Sequence, residues 1–315
     1  MLTVFPPSID EAPPAGSVVP RGLEALFRAR SIALLGISGD ARKMTGAPLE
    51  ILRRTGFAGT IYPVNPRYET LGGLPCYPDV AALPTAPDVA LVMLSAAQVP
   101  DAVRACGKRG AGAVVVLSSG FEESADGRGH AEDLARAAQE TGLPVVGPNS
   151  EGVWSVRSRL LLTFGSAARR NVLHHAPIAV LSQSGAMAGA VARHLQDRAV
   201  GCSYVVSVGN ETVLTIADYL EWMIEQDDVR VVALFVEGLR DGARLLRVIE
   251  RARQRGVRLV ALKTGNSVAG QRAAASHTGK MASAYAVYRD LFDEAGVVQV
   301  ESLTDLIEAA EVLSG

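Results

Sequence analysis

The sequence predicts an α/β fold with two open parallel sheets in tandem. Three observations support this prediction. The length of 315 residues suits about two domains. Short apolar runs recur along the chain, and segments with helical periodicity lie between them. Because these runs are apolar throughout rather than alternating, both faces of each sheet should be covered by helices, as in parallel sheets.

The first series of strands and helices occupies residues 21–148, which we assign to the first domain. Its strands are predicted at residues 31–35, 60–64, 89–94, 113–117 and 145–146. Its helices are predicted at residues 47–54, 99–109 and 131–141. Pro48 is compatible with the first of these helices because proline is tolerated in a first helical turn.

The second series begins near Pro177 and defines a second domain that we assign to residues 149–315. Its strands are predicted at residues 178–181, 204–208, 229–236, 258–262 and 297–300. Its helices are predicted at residues 186–196, 216–225, 243–255 and 284–295. The segment 149–176 is interpreted as the connection between the domains. The arginines of helix 243–255 are predicted to form a solvated face opposite its apolar stripe.

Composition excludes several classes of function. The net charge of −2 provides no electrostatic basis for binding nucleic acid. No run of about 20 apolar residues and no secretory signal is found, so no membrane contact is expected. The widely spaced Cys76, Cys106 and Cys202 suggest reduced thiols of a cytoplasmic protein. Residues 1–20 contain five prolines and are predicted to form an extended arm.

A first candidate site lies at the carboxyl edge of the first sheet, where open parallel sheets bind ligands. Small and polar residues follow four of its strands: Gly36, Ser38, Lys43, Asn65, Pro66, Ser95, Ser118, Ser119 and Gly120. The glycine-rich turn and Lys43 suit a phosphate, so a nucleotide-like ligand is predicted. The turn lacks the GxGxxG spacing, and Asn65 replaces the acidic residue of dinucleotide-binding folds. Ordinary strand–helix turns remain an alternative for each residue alone.

A second candidate site lies at the corresponding edge of the second sheet. Ser182-Gln183-Ser184-Gly185 ends a strand and opens a helix, which favours an anion. Glu237 ends another strand, and His277 follows a third in a run of small residues. Glu237 can orient the His277 ring so that its other nitrogen attacks phosphorus. Each feature also has an alternative interpretation: a helix N-cap for the Ser182–Gly185 turn, a surface salt bridge for Glu237, and a non-catalytic surface or core histidine for His277.

These segments resemble the nucleoside-diphosphate (NDP)-forming acyl-CoA synthetases, from about Pro20 to the end of the chain. The similarity lies in six motifs: Val64-Asn-Pro66, Gly147-Pro-Asn149, Ser182-Gln-Ser-Gly185, Ser207-Val-Gly-Asn210, Glu237-Gly238 and Ser276-His-Thr-Gly279. The resemblance implies a Rossmann-like CoA-binding domain followed by a flavodoxin-like domain. It implies that His277 is phosphorylated and that Glu237 supports it. Phosphate contacts are implied at Ser182, Gln183, Ser184, Gly185, Ser276 and Gly279, and CoA contacts at the first-domain residues above and Asn149.

The implied reaction is acid + ATP + CoA ⇌ acyl-CoA + ADP + phosphate, through an acyl phosphate and phospho-His277. ATP and Mg²⁺ are expected on an ATP-grasp domain or subunit, which we do not recognise in this sequence. An oligomer is expected. Two departures from the family pattern stand out: Ser150-Glu151 replaces a Cys-Leu pair, and Val213 and Thr215 replace aspartates.

Two other functions remain open from the sequence. A non-catalytic CoA-binding or regulatory relative is compatible with Val213 and Thr215, although such a protein has no use for both His277 and Glu237. An NAD-dependent dehydrogenase is supported by the fold class alone.

Overall fold

The computed structural model describes residues 22–124, 127–238, 240–264 and 285–315. The first part contains α1 (Leu23–Arg28), β1 (Ser31–Leu35), α2 (Ala47–Thr55), β2 (Thr60–Val64), β3 (Thr70–Leu71), β4 (Leu74–Pro75), β5 (Val89–Val92), α3 (Val99–Arg109), β6 (Ala113–Val116), α4 (Arg128–Thr141) and β7 (Val145–Val146). The second part contains β8 (Val153–Ser155), β9 (Leu160–Leu162), β10 (Ile178–Ser182), α5 (Gly185–Asp197), β11 (Tyr204–Ser207), α6 (Ile216–Met223), β12 (Val231–Val236), α7 (Gly242–Gln254), β13 (Arg258–Lys263), α8 (Tyr285–Glu294), β14 (Val298–Val300) and α9 (Leu303–Ser314).

The first sheet has five parallel strands in the order β2-β1-β5-β6-β7. Leu35 at the end of β1 pairs with Val64 of β2 and Val92 of β5, so the strands end at one edge. The four residues of β5 and of β6 are all buried, as the continuous apolar runs predict.

The second sheet has seven strands in the order β14-β13-β12-β10-β11-β8-β9. Strands β10 to β14 are parallel, whereas β8 and β9 form an antiparallel hairpin at one edge. The predicted α/β fold with two tandem sheets is confirmed, but the second sheet is mixed rather than wholly parallel. The segment 149–176, interpreted as a connection, supplies the two antiparallel strands.

One apolar cluster contains residues of both sheets. Phe27 of α1 stacks on Trp222 of α6 at a ring-centroid distance of 4.2 Å, and both side chains are buried. The Trp222 Nε1–H donates to a carboxylate oxygen of Glu24 at 3.1 Å. A single cluster of buried side chains includes residues from both sheets. Helix α1 therefore anchors the first part to the second.

The sequence predicted that the arginines of α7 form a solvated face, but Arg244 and Arg251 form ion pairs with acidic residues. Arg244 forms ion pairs with Asp218 at 2.8 Å and with Glu221 at 2.9 Å on α6. Arg251 bonds to Glu225 at 2.9 Å. These pairs tie the two neighbouring helices together on the outside of the sheet. Within the part of the chain described here, no helix is both long and apolar enough to span a bilayer.

Candidate functional site

The turn Ser182–Gly185 presents unpaired backbone donors at the start of α5. The Ser182 hydroxyl donates to the Ser184 carbonyl at 2.6 Å and accepts from the Ser184 N–H at 3.1 Å, which closes the turn. The Ser184 hydroxyl caps the helix by accepting from the Met187 N–H at 3.4 Å. The N–H groups of Gly185 and Ala186 make no hydrogen bond to any described residue. This helix start is therefore a competent anion site.

Gln183 is buried, and its side chain is committed to the protein. Its Oε1 accepts from the backbone N–H groups of Glu237 at 2.6 Å and Gly238 at 3.0 Å. Its Nε2 donates to the Gly238 carbonyl at 2.6 Å and to the Glu211 carboxylate at 2.8 Å. The Gln183 N–H bonds to Phe235 of β12. Gln183 thus positions the backbone of Glu237. Both N–H groups of its side-chain amide are already used within the protein, so neither is free for the predicted contact with phosphate.

Glu211 is a buried carboxylate that the sequence reasoning missed. Its second oxygen accepts from the Ile216 N–H at 2.8 Å, at the start of α6. The residue adopts a φ of 56°, in the left-handed region that is uncommon for a residue other than glycine. Its position directly after the Ser207–Asn210 motif was a hint, but nothing in the sequence connected it to Gln183.

Glu237 and Lys263 stand at the ends of the adjacent strands β12 and β13. The buried Lys263 Nζ donates to the Glu237 carbonyl at 2.9 Å and to the Thr264 carbonyl at 2.6 Å. Burial lowers the pKa of Lys263, and the charge of Glu237 opposes that shift. The ammonium also lies 5.1 Å from the centre of the Tyr288 ring. Lys263 therefore holds the backbone of Glu237 in place.

Three predicted residues, Ser276, His277 and Gly279, lie outside the described residues. The predicted contact between His277 and Glu237 consequently stays a prediction. The strand that leads toward this segment, β13, pairs with β12 up to the register of Lys263 and Val236. The last described residue before the segment is Thr264, whose N–H donates to the carbonyl of Val236, the neighbour of Glu237, at 3.0 Å.

At the first sheet, the turn after β1 is held by its own backbone and by Asn65. Gly36 has a φ of 79°, and a Cβ there would lie 2.7 Å from the Met93 carbonyl, so this position requires glycine. The Asn65 side chain donates to the Ile37 carbonyl at 2.8 Å, which makes it a support for the turn. Ser38 accepts from the Asp40 N–H at 3.2 Å, whereas Lys43 is exposed.

The remaining first-domain candidates line the same edge. Ser95 precedes a short 3₁₀ turn, and its hydroxyl donates to the Gln98 side-chain oxygen at 2.7 Å. Pro66 and Ser119 are exposed. The Ser118 Oγ is buried without a hydrogen-bond partner among the described residues. Gly120 donates its N–H to Glu123 at 2.6 Å. An unsatisfied buried hydroxyl is costly, so Ser118 is the candidate that most needs a ligand or a water molecule.

Direct hydrogen bonds connect the two edges. The Asn149 N–H donates to the Ser118 carbonyl at 2.8 Å, and its side chain donates to Asn210 at 3.2 Å. Asn210 in turn donates to Glu123 at 2.6 Å. The predicted CoA edge and the predicted phosphate edge are therefore parts of one continuous surface.

Glu151 is a second functional candidate that the sequence did not predict, because the sequence showed only that Glu151 departs from the family pattern. Its backbone N–H donates to the Ser207 hydroxyl at 3.0 Å, beside the candidate phosphate turn. Burial raises the pKa of its carboxyl to about 7. The carboxyl accepts no hydrogen bond from any described residue. The departure from the usual leucine was the indication that this position differs.

The two other departures have structural roles. The Thr215 N–H and hydroxyl both donate to Asp218, at 2.7 and 2.8 Å, at the start of α6. Val213 packs against the core of the first sheet. No cluster of three metal-ligating side chains occurs within the described ranges.

Comparison with known protein families identifies both parts of the chain. Residues 30–155 match the model of a CoA binding domain, and residues 175–313 match that of a succinyl-CoA ligase like flavodoxin domain. The fold and the site thus define the class of this chain, in which a CoA binding domain is followed by a succinyl-CoA ligase-like flavodoxin domain. The exact boundary at 148/149 stays a prediction.

Similar proteins agree with this class. The ADP-forming acetate–CoA ligase I of Archaeoglobus fulgidus is 36% identical over 92% of this chain, which covers 42% of that protein. The subunit alpha of ADP-forming acetate–CoA ligase I from Pyrococcus furiosus is 34% identical over 93% of this chain, which covers 63% of it. The chain belongs to the NDP-forming acyl-CoA synthetase family. It spans about half the length of these two relatives.

A solved structure supports the fold at similar identity. It is the dinucleotide forming acetyl-coenzyme A synthetase 1 of Ca. Korarchaeum cryptofilum in complex with phosphate and ADP. It superposes with a TM-score of 0.86 at 34% identity, over 93% of this chain and 62% of that one.

Proposed function

We propose that this chain is the CoA-binding and phosphohistidine portion of an ADP-forming acyl-CoA synthetase, an acid–thiol ligase. The observation that carries the proposal is the connection through Gln183 between the anion-binding turn and Glu237. That side chain bonds to the backbone of Glu237 while its neighbours Ser184 and Gly185 open α5. This connection supports a phosphate site and a carboxylate that orients an imidazole at the same sheet edge.

The chemistry proceeds in three balanced steps. A nitrogen of His277 takes the γ-phosphoryl group of ATP, and ADP leaves. The carboxylate of the acid then attacks phosphorus, which forms an acyl phosphate and frees His277. Finally the thiolate of CoA attacks the acyl carbon and expels phosphate. In this scheme Glu237 holds the ring of His277 and stabilises its positive character.

The backbone donors at Gly185 and Ala186 hold the phosphoryl group while it is transferred. Two neutral N–H groups and the helix start stabilise negative charge without supplying a competing proton. At the other edge, the turn Gly36–Gly46 and the Ser118 hydroxyl hold CoA. The bond between Asn149 and Ser118 keeps the two edges at a fixed separation, which an attack by the thiol requires.

The scheme requires a partner that binds ATP. We propose an ATP-grasp domain or subunit that carries ATP and Mg²⁺ and phosphorylates His277. The similarity to a protein described as a subunit alpha supports a division of this kind. All three cysteines are buried and unpaired, which supports a cytoplasmic location.

Phosphate labelling tests this function. The chain is incubated with [γ-³²P]ATP and its cognate ATP-grasp partner. An acid-labile, base-stable label is expected on the wild type and none on His277→Ala. His175→Gln serves as the control, because His175 precedes β10 at the opposite edge of the sheet and pairs with Asp228 there. Absence of label with every partner preparation would refute the proposal.

A further inference from the structure

A cavity of about 560 Å³ lies beside α5. Small side chains of α5 form much of its wall, so it has room for a chain of several carbon atoms. Its polar lining consists of Glu151, Ser166, Arg193, His194 and Asp197. Glu151 stands near the N-terminal end of the helix, and Asp197 is at its C-terminal end.

The Glu151 carboxyl is the ionisable group of this cavity that lacks a partner among the described residues. It accepts no hydrogen bond from the described residues, whereas Asp197 is already paired with Arg170 at 2.6 Å and with Arg193 at 3.5 Å. A partly buried carboxyl without a donor is costly. The raised pKa of Glu151 reflects the same lack of compensation.

Two glycines keep space for this carboxyl. A Cβ on Gly165 would lie 2.0 Å from Glu151 Oε1, and a Cβ on Gly189 would lie 3.0 Å from Oε2. Any larger residue at Gly165 would displace the carboxyl. The side chain is therefore held between the loop that follows β9 and the second turn of α5.

The backbone places Glu151 between the two sites of the proposed reaction. Asn149, two residues earlier, bonds to Ser118 at the CoA edge. On the other side, a Cβ on Gly185 would lie 3.0 Å from the Glu151 Cβ, so Glu151 contacts the start of the phosphate turn. The acyl group is bonded to phosphate before the thiol attacks it, so it must lie between these sites.

Resting on the proposed function, we infer that this cavity receives the acyl chain and that Glu151 binds a hydrogen-bond donor on it. The preferred substrates are then carboxylic acids that carry a hydroxyl or an ammonium group. A carboxylate accepts hydrogen bonds from both groups, whereas an unsubstituted alkyl chain leaves it unpaired. Glu151 is a specificity-determining residue in this inference, and it takes no part in phosphoryl transfer.

The test compares matched acids in the complete enzyme with its ATP-grasp partner. The kcat/KM for acyl-CoA formation is measured with butyrate, 3-hydroxybutyrate, 4-hydroxybutyrate, 3-aminobutyrate and 4-aminobutyrate. The wild type should prefer at least one substituted acid over butyrate by about tenfold or more. Glu151→Leu should abolish the preference, and Glu132→Gln, an exposed change on α4, should leave it intact.

A second variant distinguishes the two donors. Glu151→Gln keeps a hydrogen-bond acceptor but loses the negative charge, so it should retain a preference for a hydroxyl and lose one for an ammonium group. Equal use of butyrate and all substituted acids, or a preference that survives Glu151→Leu, would overturn the inference. If His277 is labelled in those same preparations, the proposed function stands while this inference fails. A chain that takes no label refutes both.

Discussion

The Gln183 amide donates a hydrogen bond of 2.8 Å to the Glu211 carboxylate, and both side chains are buried. Through its other hydrogen bonds, Gln183 also holds the backbone of Glu237 and Gly238. The end of β10, the loop after β11 and the end of β12 are thereby joined at one point. This amide is the centre of the candidate site, although it offers no donor to a ligand.

Replacement of Gln183 by leucine should therefore damage both stability and function. The change removes four hydrogen bonds at a buried position, so the free energy of unfolding should fall by about 2–4 kcal/mol. Because Glu237 loses its support, labelling of His277 should slow more than CoA binding weakens. Urea unfolding, phosphate labelling and calorimetry with CoA measure the three effects. The control is Gln254→Ala at an exposed position, which should change the free energy of unfolding by no more than about 0.5 kcal/mol. An equally small change in Gln183→Leu would contradict the structural role of Gln183.

Glu151 should make stability depend on pH in a definite direction. Its pKa is raised to about 7 in the folded chain, from an ordinary value of 4.5. Below about pH 4.5 the carboxyl is protonated in both states and costs nothing. As pH rises toward 7, the unfolded chain ionises first, so the stability of the folded state falls; above 7 the loss is complete.

Glu151→Gln removes this dependence. The variant should gain about 1–2 kcal/mol over the wild type at pH 8, with allowance for partial exposure, and no more than about 0.4 kcal/mol at pH 4.5. The difference between the two proteins isolates Glu151 from Arg193, His194 and Asp197, which line the same cavity. Thermal or urea unfolding at both pH values provides the measurement. An equal gain at pH 4.5 and pH 8 would indicate a packing effect instead.

Strand patterns carried most of the fold prediction. The strands 31–35 and 60–64 have the predicted bounds because each is a compact apolar run beside a glycine or a turn. The hairpin of β8 and β9 escaped prediction since each strand has three residues, which is too short for a periodic pattern. Because the ends of these strands were predicted, the residues that directly follow them could also be predicted to lie at the sheet edge.

Side-chain partnerships were not predictable in this way. Gln183 and Glu211 are 28 positions apart and meet only because β10 and β11 are adjacent. The candidate phosphate contact of Gln183 was inferred from its motif, whereas its side-chain environment depends on packing. The unpaired state of Glu151 likewise depends on which groups surround it, and a sequence pattern does not contain that information.

Trp222 should contribute strongly to the stability of the contact between the two sheets. Trp222→Ala removes the stack on Phe27 and leaves a large cavity, so the free energy of unfolding should fall by about 3–5 kcal/mol. Trp222→Phe keeps an aromatic ring but loses the hydrogen bond to Glu24, at a cost of about 1 kcal/mol. Val312→Ala, at a position 77% exposed, is the matched control. Urea unfolding measures all three, and equal effects of alanine and phenylalanine at Trp222 would exclude the stack as the source.

Lys263 should act as a positioning residue for Glu237. Lys263→Met keeps the aliphatic stem but removes the two hydrogen bonds to the carbonyls of Glu237 and Thr264. Removal of a buried ammonium offsets part of this loss, so the free energy of unfolding should change by less than about 2 kcal/mol. Labelling of His277 should nevertheless slow by about tenfold, because a displaced Glu237 no longer orients the ring.

The control for Lys263 lies at the other end of the same strand. Arg258 begins β13 and is exposed, and its side chain bonds only to the Leu313 carbonyl among the described residues, so Arg258→Ala should label at the wild-type rate. CoA affinity should be unchanged in both variants, since β13 is remote from the turn Gly36–Gly46. Rapid-quench labelling with [γ-³²P]ATP separates the two predictions. A wild-type rate in Lys263→Met would show that Lys263 is not needed to position Glu237, whereas a parallel loss of CoA affinity would show general disruption of the fold.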